Sequence, residues 1–227
     1  MQPDGTGKRQ LTIDPRTDCY PSVSPDGRYI VFVSDRMGSF NIWRMDIDGS
    51  NPKQLTDRGG EGLPHCSPDG RWVVYQIANS NEYTLWKVSI DGGSPIQLTD
   101  RDSGVPAVSP DGKSIACLYW GDESDPSAKL AIIPSEGGPP LRILDTPRGV
   151  RLSIIQWSPD GRALNYIGNS GSVSNIWNYP LDGGPLKQLT EFKDSRIFSF
   201  QWSRDGRALV CSRGSETFDV VLIRDFK

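Results

Sequence analysis

Residues 24–56 read SPDGRYIVFVSDRMGSFNIWRMDIDGSNPKQLT, and this stretch decides the architecture. Its opening tetrapeptide, Ser24-Pro25-Asp26-Gly27, is a turn. Proline presets φ at the first corner, aspartate bonds back to its own backbone, and glycine accepts positive φ. An apolar run follows in which Ile30 and Phe32 stand two apart, the spacing of one face of a strand. After Ser34-Asp35-Arg36 comes a second apolar run, Asn41-Ile42-Trp43, then a turn at Asp48-Gly49 and a short Gln54-Leu55-Thr56. Together with the segment ahead of the tetrapeptide, this makes a unit of four strands: an inner one, two long ones and a short outer one.

The unit recurs. Ser67-Pro68-Asp69-Gly70, Ser109-Pro110-Asp111-Gly112, Ser158-Pro159-Asp160-Gly161 and the variant Ser203-Arg204-Asp205-Gly206 repeat the turn, with the aspartates 43, 42, 49 and 45 residues apart. A period in the forties is that of a propeller blade. We therefore expect an all-β fold, a β-propeller of five four-stranded antiparallel blades in a single domain covering residues 1–227. Blade 1 is expected at about 19–56, blade 2 at 62–99, blade 3 at 104–144, blade 4 at 152–190, and blade 5 at 197–227 plus a strand at 7–12. Gln10-Leu11-Thr12 reads as an outer strand with no blade of its own, while the fifth unit stops after its third strand, Val220-Val221-Leu222. The N-terminal strand is expected to complete the fifth blade, closing the ring and removing its open edges. A piece cut from a longer array would carry the same complementary ends.

These residues resemble the TolB-like β-propeller family, the Pro-Asp-Gly relatives of the WD-type repeat, and the resemblance runs through essentially the whole chain. The third unit departs most, with Ala131 where tryptophan would stand, and the fifth has Arg204 in place of proline. The resemblance implies binding and scaffolding: members serve as periplasmic interaction domains, as gates ahead of peptidase domains, or as sensor modules attached to bacterial kinases and regulators. It allows a periplasmic or other extracytoplasmic location, and the residues themselves fix no compartment.

The 227 residues hold 25 basic and 28 acidic side chains, a net charge of −3, so the positive excess of a nucleic-acid binder is missing. No apolar run approaches a membrane span, and Met1-Gln2-Pro3-Asp4-Gly5 does not begin a signal peptide. We expect a monomer that binds a protein or peptide, or a small anionic ligand, without nucleic acid, membrane insertion, metal or cofactor.

Catalytic parts are scarce. There is a single histidine, His65, expected to be packed between blades because its repeat counterparts are Ser22, Ala107, Gln156 and Gln201. No zinc, nucleophile-elbow or phosphate-loop motif occurs. Cys66, Cys117 and Cys211 fall at core positions and Cys19 at a loop edge, and all four read as free thiols. Five tryptophans, Trp43, Trp86, Trp157, Trp177 and Trp202, hold repeat positions and are expected in the core. A glycosidase-like propeller would need paired carboxylates at the hub. The inner strands, read as 20–24, 63–67, 105–109, 153–158 and 198–203, contain no Asp or Glu. The expected function is a non-catalytic binding or sensor module, a protein-interaction scaffold within a larger bacterial protein. A glycosidase-like enzyme and the gating propeller of a peptidase are the alternatives.

Two features could carry binding. Arg16, Arg58, Arg101, Arg148 and Arg196 each precede an inner strand, one per blade, and would surround one mouth of a closed ring. Such guanidinium groups can hold a carboxylate bidentately. Asp14, Asp57, Asp100, Asp145 and Glu191 stand nearby and could pair with them instead as surface ion pairs. The second feature is the loop that opens on Trp120, where Asp122 and Glu123 offer a small aromatic and acidic recognition patch, or an ordinary solvated loop.

Overall fold

The computed structural model describes residues 6–13, 15–79, 83–120, 127–146, 154–203 and 205–215. Blade 1 comprises β1 (Asp18–Val23), β2 (Tyr29–Ser34), β3 (Asn41–Asp46) and β4 (Lys53–Gln54). Blade 2 comprises β5 (Glu61–Cys66), β6 (Trp72–Ala78), β7 (Tyr83–Ser89) and β8 (Ile96–Gln97). Blade 3 follows with β9 (Ser103–Val108), β10 (Ser114–Trp120), β11 (Ala128–Pro134) and β12 (Arg142–Leu144), and blade 4 with β13 (Ile155–Trp157), β14 (Ala163–Ser170), β15 (Val173–Pro180) and β16 (Lys187–Gln188). A fifth sheet pairs β17 (Arg196–Trp202) with β18 (Leu209–Gly214). All pairings are antiparallel between chain neighbours.

The expectation of five four-stranded blades is thus corrected to four complete blades and a two-stranded sheet. The expected third strand of the fifth unit, 220–222, lies outside the described residues. The segment 7–12, expected as a closing strand, forms no strand. An outer strand exists only through hydrogen bonds to a third strand, and none of the described residues supplies one to it.

Even so, Gln10-Leu11-Thr12 is seated as an outer strand would be. Gln10 Nε2 donates to the Thr12 carbonyl at 2.7 Å, as Gln54 does to Thr56 and Gln97 to Thr99, both at 2.8 Å. Leu55 packs into the core of blade 2 and Leu98 into that of blade 3; Leu11 packs against Ile30, Phe32, Trp43 and Met45 of blade 1. The Thr56 hydroxyl meets Glu61, and the Thr99 hydroxyl meets Ser103, at the start of the next inner strand. Thr12 hydrogen-bonds Asp18 at the same point of blade 1. The other side of this seam is open: Val210 is 65% exposed, where its counterparts Val31, Val74 and Ala116 are at most 2% exposed.

The recurrent turn works through its serine. Ser24 Oγ donates to Asp26 Oδ1 at 2.6 Å and accepts from the Tyr29 N–H at 2.9 Å, while Asp26 Oδ1 accepts from the Arg28 N–H at 3.0 Å. The same three bonds recur at Ser67, Ser109, Ser158 and Ser203. The serine hydroxyl and then the backbone N–H hold the carboxyls of Asp26, Asp111, Asp160 and Asp205 below their ordinary pKa. A lowered folded-state pKa contributes stability that is present above the unfolded value and lost as pH falls through the folded one. The melting temperature is therefore expected to fall steadily between roughly pH 5 and pH 2.5, and an Asp111→Asn variant to show a shallower acid limb by calorimetry.

Candidate functional site

Residues of the inner strands β1, β5, β9, β13 and β17, together with Val210, Cys211 and Ser212 of β18, line a cavity of about 840 Å³ that opens toward the exposed face of the fifth sheet. Its wall is shaped by a bulge that recurs in blades 1 to 3. Between Cys19 and Ser22, Gly62 and His65, and Gly104 and Ala107, the inner strand takes three steps where its partner takes two. The extra residue in each case is followed by proline: Tyr20-Pro21, Leu63-Pro64 and Val105-Pro106. Proline has no N–H to give the ladder, so the pairing must break there. Tyr20, Leu63 and Val105 absorb the break in the left-handed region, at φ 51°, 49° and 55°. For a β-branched residue such as Val105 this is an uncommon conformation, costing about 1–3 kcal/mol. A dipeptide recurring at fixed distance before each turn aspartate was the available sequence signal for these bulges.

His65 lines this cavity, which corrects its expected place between blades. Burial pushes its pKa down, opposed by the Cys66 carbonyl 3.1 Å from Nδ1 and by the Gln156 side chain of blade 4. Gln156 and Gln201 share its level of the hub.

The inner strands begin earlier than the sequence suggested, so two carboxylates do lie on them: Asp18 opens β1 and Glu61 opens β5. Neither is among the described residues that line the cavity. Their positions are equivalent and their electrostatics opposite. Asp18 is partly desolvated, but hydrogen bonds from Ser34, Arg36 and Thr12, with the Arg36 guanidinium 3.0 Å away, hold its pKa down. Glu61, 2% exposed, makes no ion pair with a described residue, and desolvation raises its pKa despite bonds from Thr56 and Asn41. Its Oε1 is buried without a partner. Glu61 ties blade 2 to blade 1, while Asp18 braces the end of blade 1 against the segment that holds Thr12.

The described arginines stand at or just before the starts of inner strands: Arg16 before β1, Arg58 before β5, Arg101 before β9, and Arg196 at the start of β17. Arg16, Arg58, Arg101 and Arg196 are exposed, and none lines the central cavity. Arg58 lies over the Trp86 ring, 4.2 Å from its centroid, a cation–π pair. Arg101 borders a separate groove with Asp100, Tyr119 and Pro139. Arg148, Asp122 and Glu123 lie outside the described residues. Trp120 ends β10 half-buried against the blade 3 and 4 core, its backbone N–H donating to the Asp102 carbonyl at 2.9 Å.

The four cysteines are free. Cys66 and Cys117 are buried, and burial pushes their thiols up to about 11 and about 12. Of the five repeat tryptophans only Trp43 is fully buried; Trp86, Trp157, Trp177 and Trp202 are half-buried, because an indole on a blade face reaches the edge of the interblade seam. Trp157 Nε1 uses that reach to donate to the Ala107 carbonyl of blade 3 at 2.9 Å.

A model of the TolB beta propeller domain matches residues 1–149. An uncharacterized protein of Agrobacterium fabrum is 48% identical over 46 residues, 20% of this chain and 16% of that protein. The Tol-Pal system protein TolB of Bordetella pertussis is 40% identical over 47 residues, 21% of this chain and 11% of that protein. The matched segments thus span less than a fifth of these relatives. Among solved structures, a putative TolB from Agrobacterium tumefaciens superposes with a TM-score of 0.73 at 22% identity, covering 93% of this chain and 75% of that one.

Proposed function

Because the chain belongs to the TolB beta propeller domain family, we propose that it is a non-catalytic protein-interaction or sensor module within a larger bacterial protein. The mouth-face loops hold a protein or peptide partner, and the blades serve as the rigid frame.

The observation that carries the reading is the Arg58–Trp86 pair. An exposed guanidinium resting on an indole is pre-oriented, so less side-chain entropy is lost when it meets a carboxylate. In this proposal Arg16, Arg101, Arg148 and Arg196 take part in the same contact, as do Trp120, Asp122 and Glu123. A hydrolytic reading would need two carboxylates meeting at the hub, and the described cavity wall carries none.

Fluorescence anisotropy with a labelled oligoglutamate peptide at low salt tests it. Replacing Arg58 and Arg101 together by alanine is expected to weaken binding about tenfold, and added salt to weaken the parent protein in the same direction. Equal affinity of parent and double variant would retire the arginine surface.

A further inference from the structure

We propose that the central cavity is itself a binding site, separate from the mouth-face loops, for an uncharged and mostly apolar molecule carrying one or two amide-like or hydroxyl groups. At about 840 Å³ it has the capacity of a small-molecule site. No Asp, Glu, Lys or Arg stands among the described residues that line it. A charged ligand entering there would lose hydration and find no counter-charge, a cost of several kcal/mol. Charge matching therefore selects a neutral occupant.

The wall has two levels. At the first, Pro21, Pro64 and Pro106 follow the left-handed residues Tyr20, Leu63 and Val105. Three consecutive blades keep a strained backbone at this one level, and the outcome is a collar of proline rings and apolar side chains with no proline N–H to offer. Strain repeated at a cavity wall is retained where the surrounding structure over-determines it, as in ligand clamps. At the second level stand the polar groups His65, Gln156 and Gln201. His65 and Gln156 engage each other. Gln201 is exposed, lines the cavity and makes no side-chain hydrogen bond to another described residue. Its carboxamide offers an acceptor and two donors in one plane, the complement of an amide or hydroxyl group. Apolar body and neutral hydrogen-bonding group are thus read at adjacent levels.

The probes are N-phenyl-1-naphthylamine, a neutral aromatic amine, and its sulfonated analogue 8-anilino-1-naphthalenesulfonate, both followed by fluorescence on the full chain. The neutral probe is expected to bind saturably at one site, and the sulfonate at least about tenfold more weakly. Gln201→Trp, which fills the cavity from a position that faces it, is expected to weaken the neutral probe at least about tenfold. Gln201→Leu keeps the side-chain volume and removes the hydrogen bond, so it tests the site even if the tryptophan variant misfolds; about a threefold loss is expected. Leu141→Ser with Ile143→Ser, exposed residues on the outer strand of blade 3, is expected to leave binding unchanged. Absence of saturable binding, equal affinity for the sulfonate, or loss on the outer-strand variant with both Gln201 variants unaffected would each overturn the proposal.

Discussion

Replacing Glu61 by alanine is expected to lower the free energy of unfolding by about 3 kcal/mol, as measured in urea at neutral pH. Glu61 sits between blades 1 and 2, accepting from Asn41 Nδ2 at 3.0 Å and from the Thr56 hydroxyl. Asn41 is 1% exposed and Thr56 3%, so alanine leaves two buried donors facing nothing, each a loss of about 1–3 kcal/mol. The Thr56 oxygen also accepts from the Ile42 N–H at 2.9 Å, so the damage reaches the β3 backbone. The effect carries a pH signature. Desolvation raises the Glu61 pKa, so its contribution is fully present below the unfolded value and declines as pH rises through the folded one. The penalty of Glu61→Ala is therefore larger in mild acid than at neutrality, and a pH-independent difference would contradict the assignment of a raised pKa.

Gly137→Ala is expected to cost about 2–4 kcal/mol, again by equilibrium unfolding. Gly137 has φ 88°, where an L side chain is strained, and an added Cβ would meet the Leu98 carbonyl oxygen at 2.8 Å and Cα at 3.0 Å. These are backbone atoms of the preceding blade and have no rotamer in which to retreat. Gly138 is the internal control. Its φ is 106°, yet nothing lies within 4 Å of its would-be Cβ, so Gly138→Ala meets only the conformational penalty of about 1–2 kcal/mol. Equal losses at the two sites would show that backbone strain, and not interblade contact, governs the turn.

Much of this fold was legible because the determinants are local. The Ser-Pro-Asp-Gly turn contains its own hydrogen-bond partners, so reading five copies located five hairpins. The buried pairs Ile30 and Phe32, Val73 and Tyr75, and Ile115 and Cys117 followed from period-two spacing alone. What was not legible depends on neighbours in space. Glu61 was read as part of a connecting loop because its strand partner Ile77 and its donors Asn41 and Thr56 belong to other segments of the chain. Tyr20, Leu63 and Val105 looked like ordinary strand residues, although the proline after each could have signalled a broken ladder. His65 was misplaced because its repeat counterparts vary in polarity, and only the bulge determines which side chains turn to the hub. The arginines were picked out by their place in the repeat, but the ring under Arg58 is Trp86, 28 positions along the chain, which only the folded blade 2 brings beneath it.

The leucine of each short outer strand, Leu55 or Leu98, inserts into the core of the blade after its own. Blades 1 and 2 thus each export a leucine plug to the blade that follows, whereas Leu189 of blade 4 stays 42% exposed. A chain built on that exchange can gain or lose whole units by duplication or excision without new interface chemistry, since any donor fits any acceptor. Ring size in such an architecture becomes a matter of copy number, set by where the last plug finds a vacant socket.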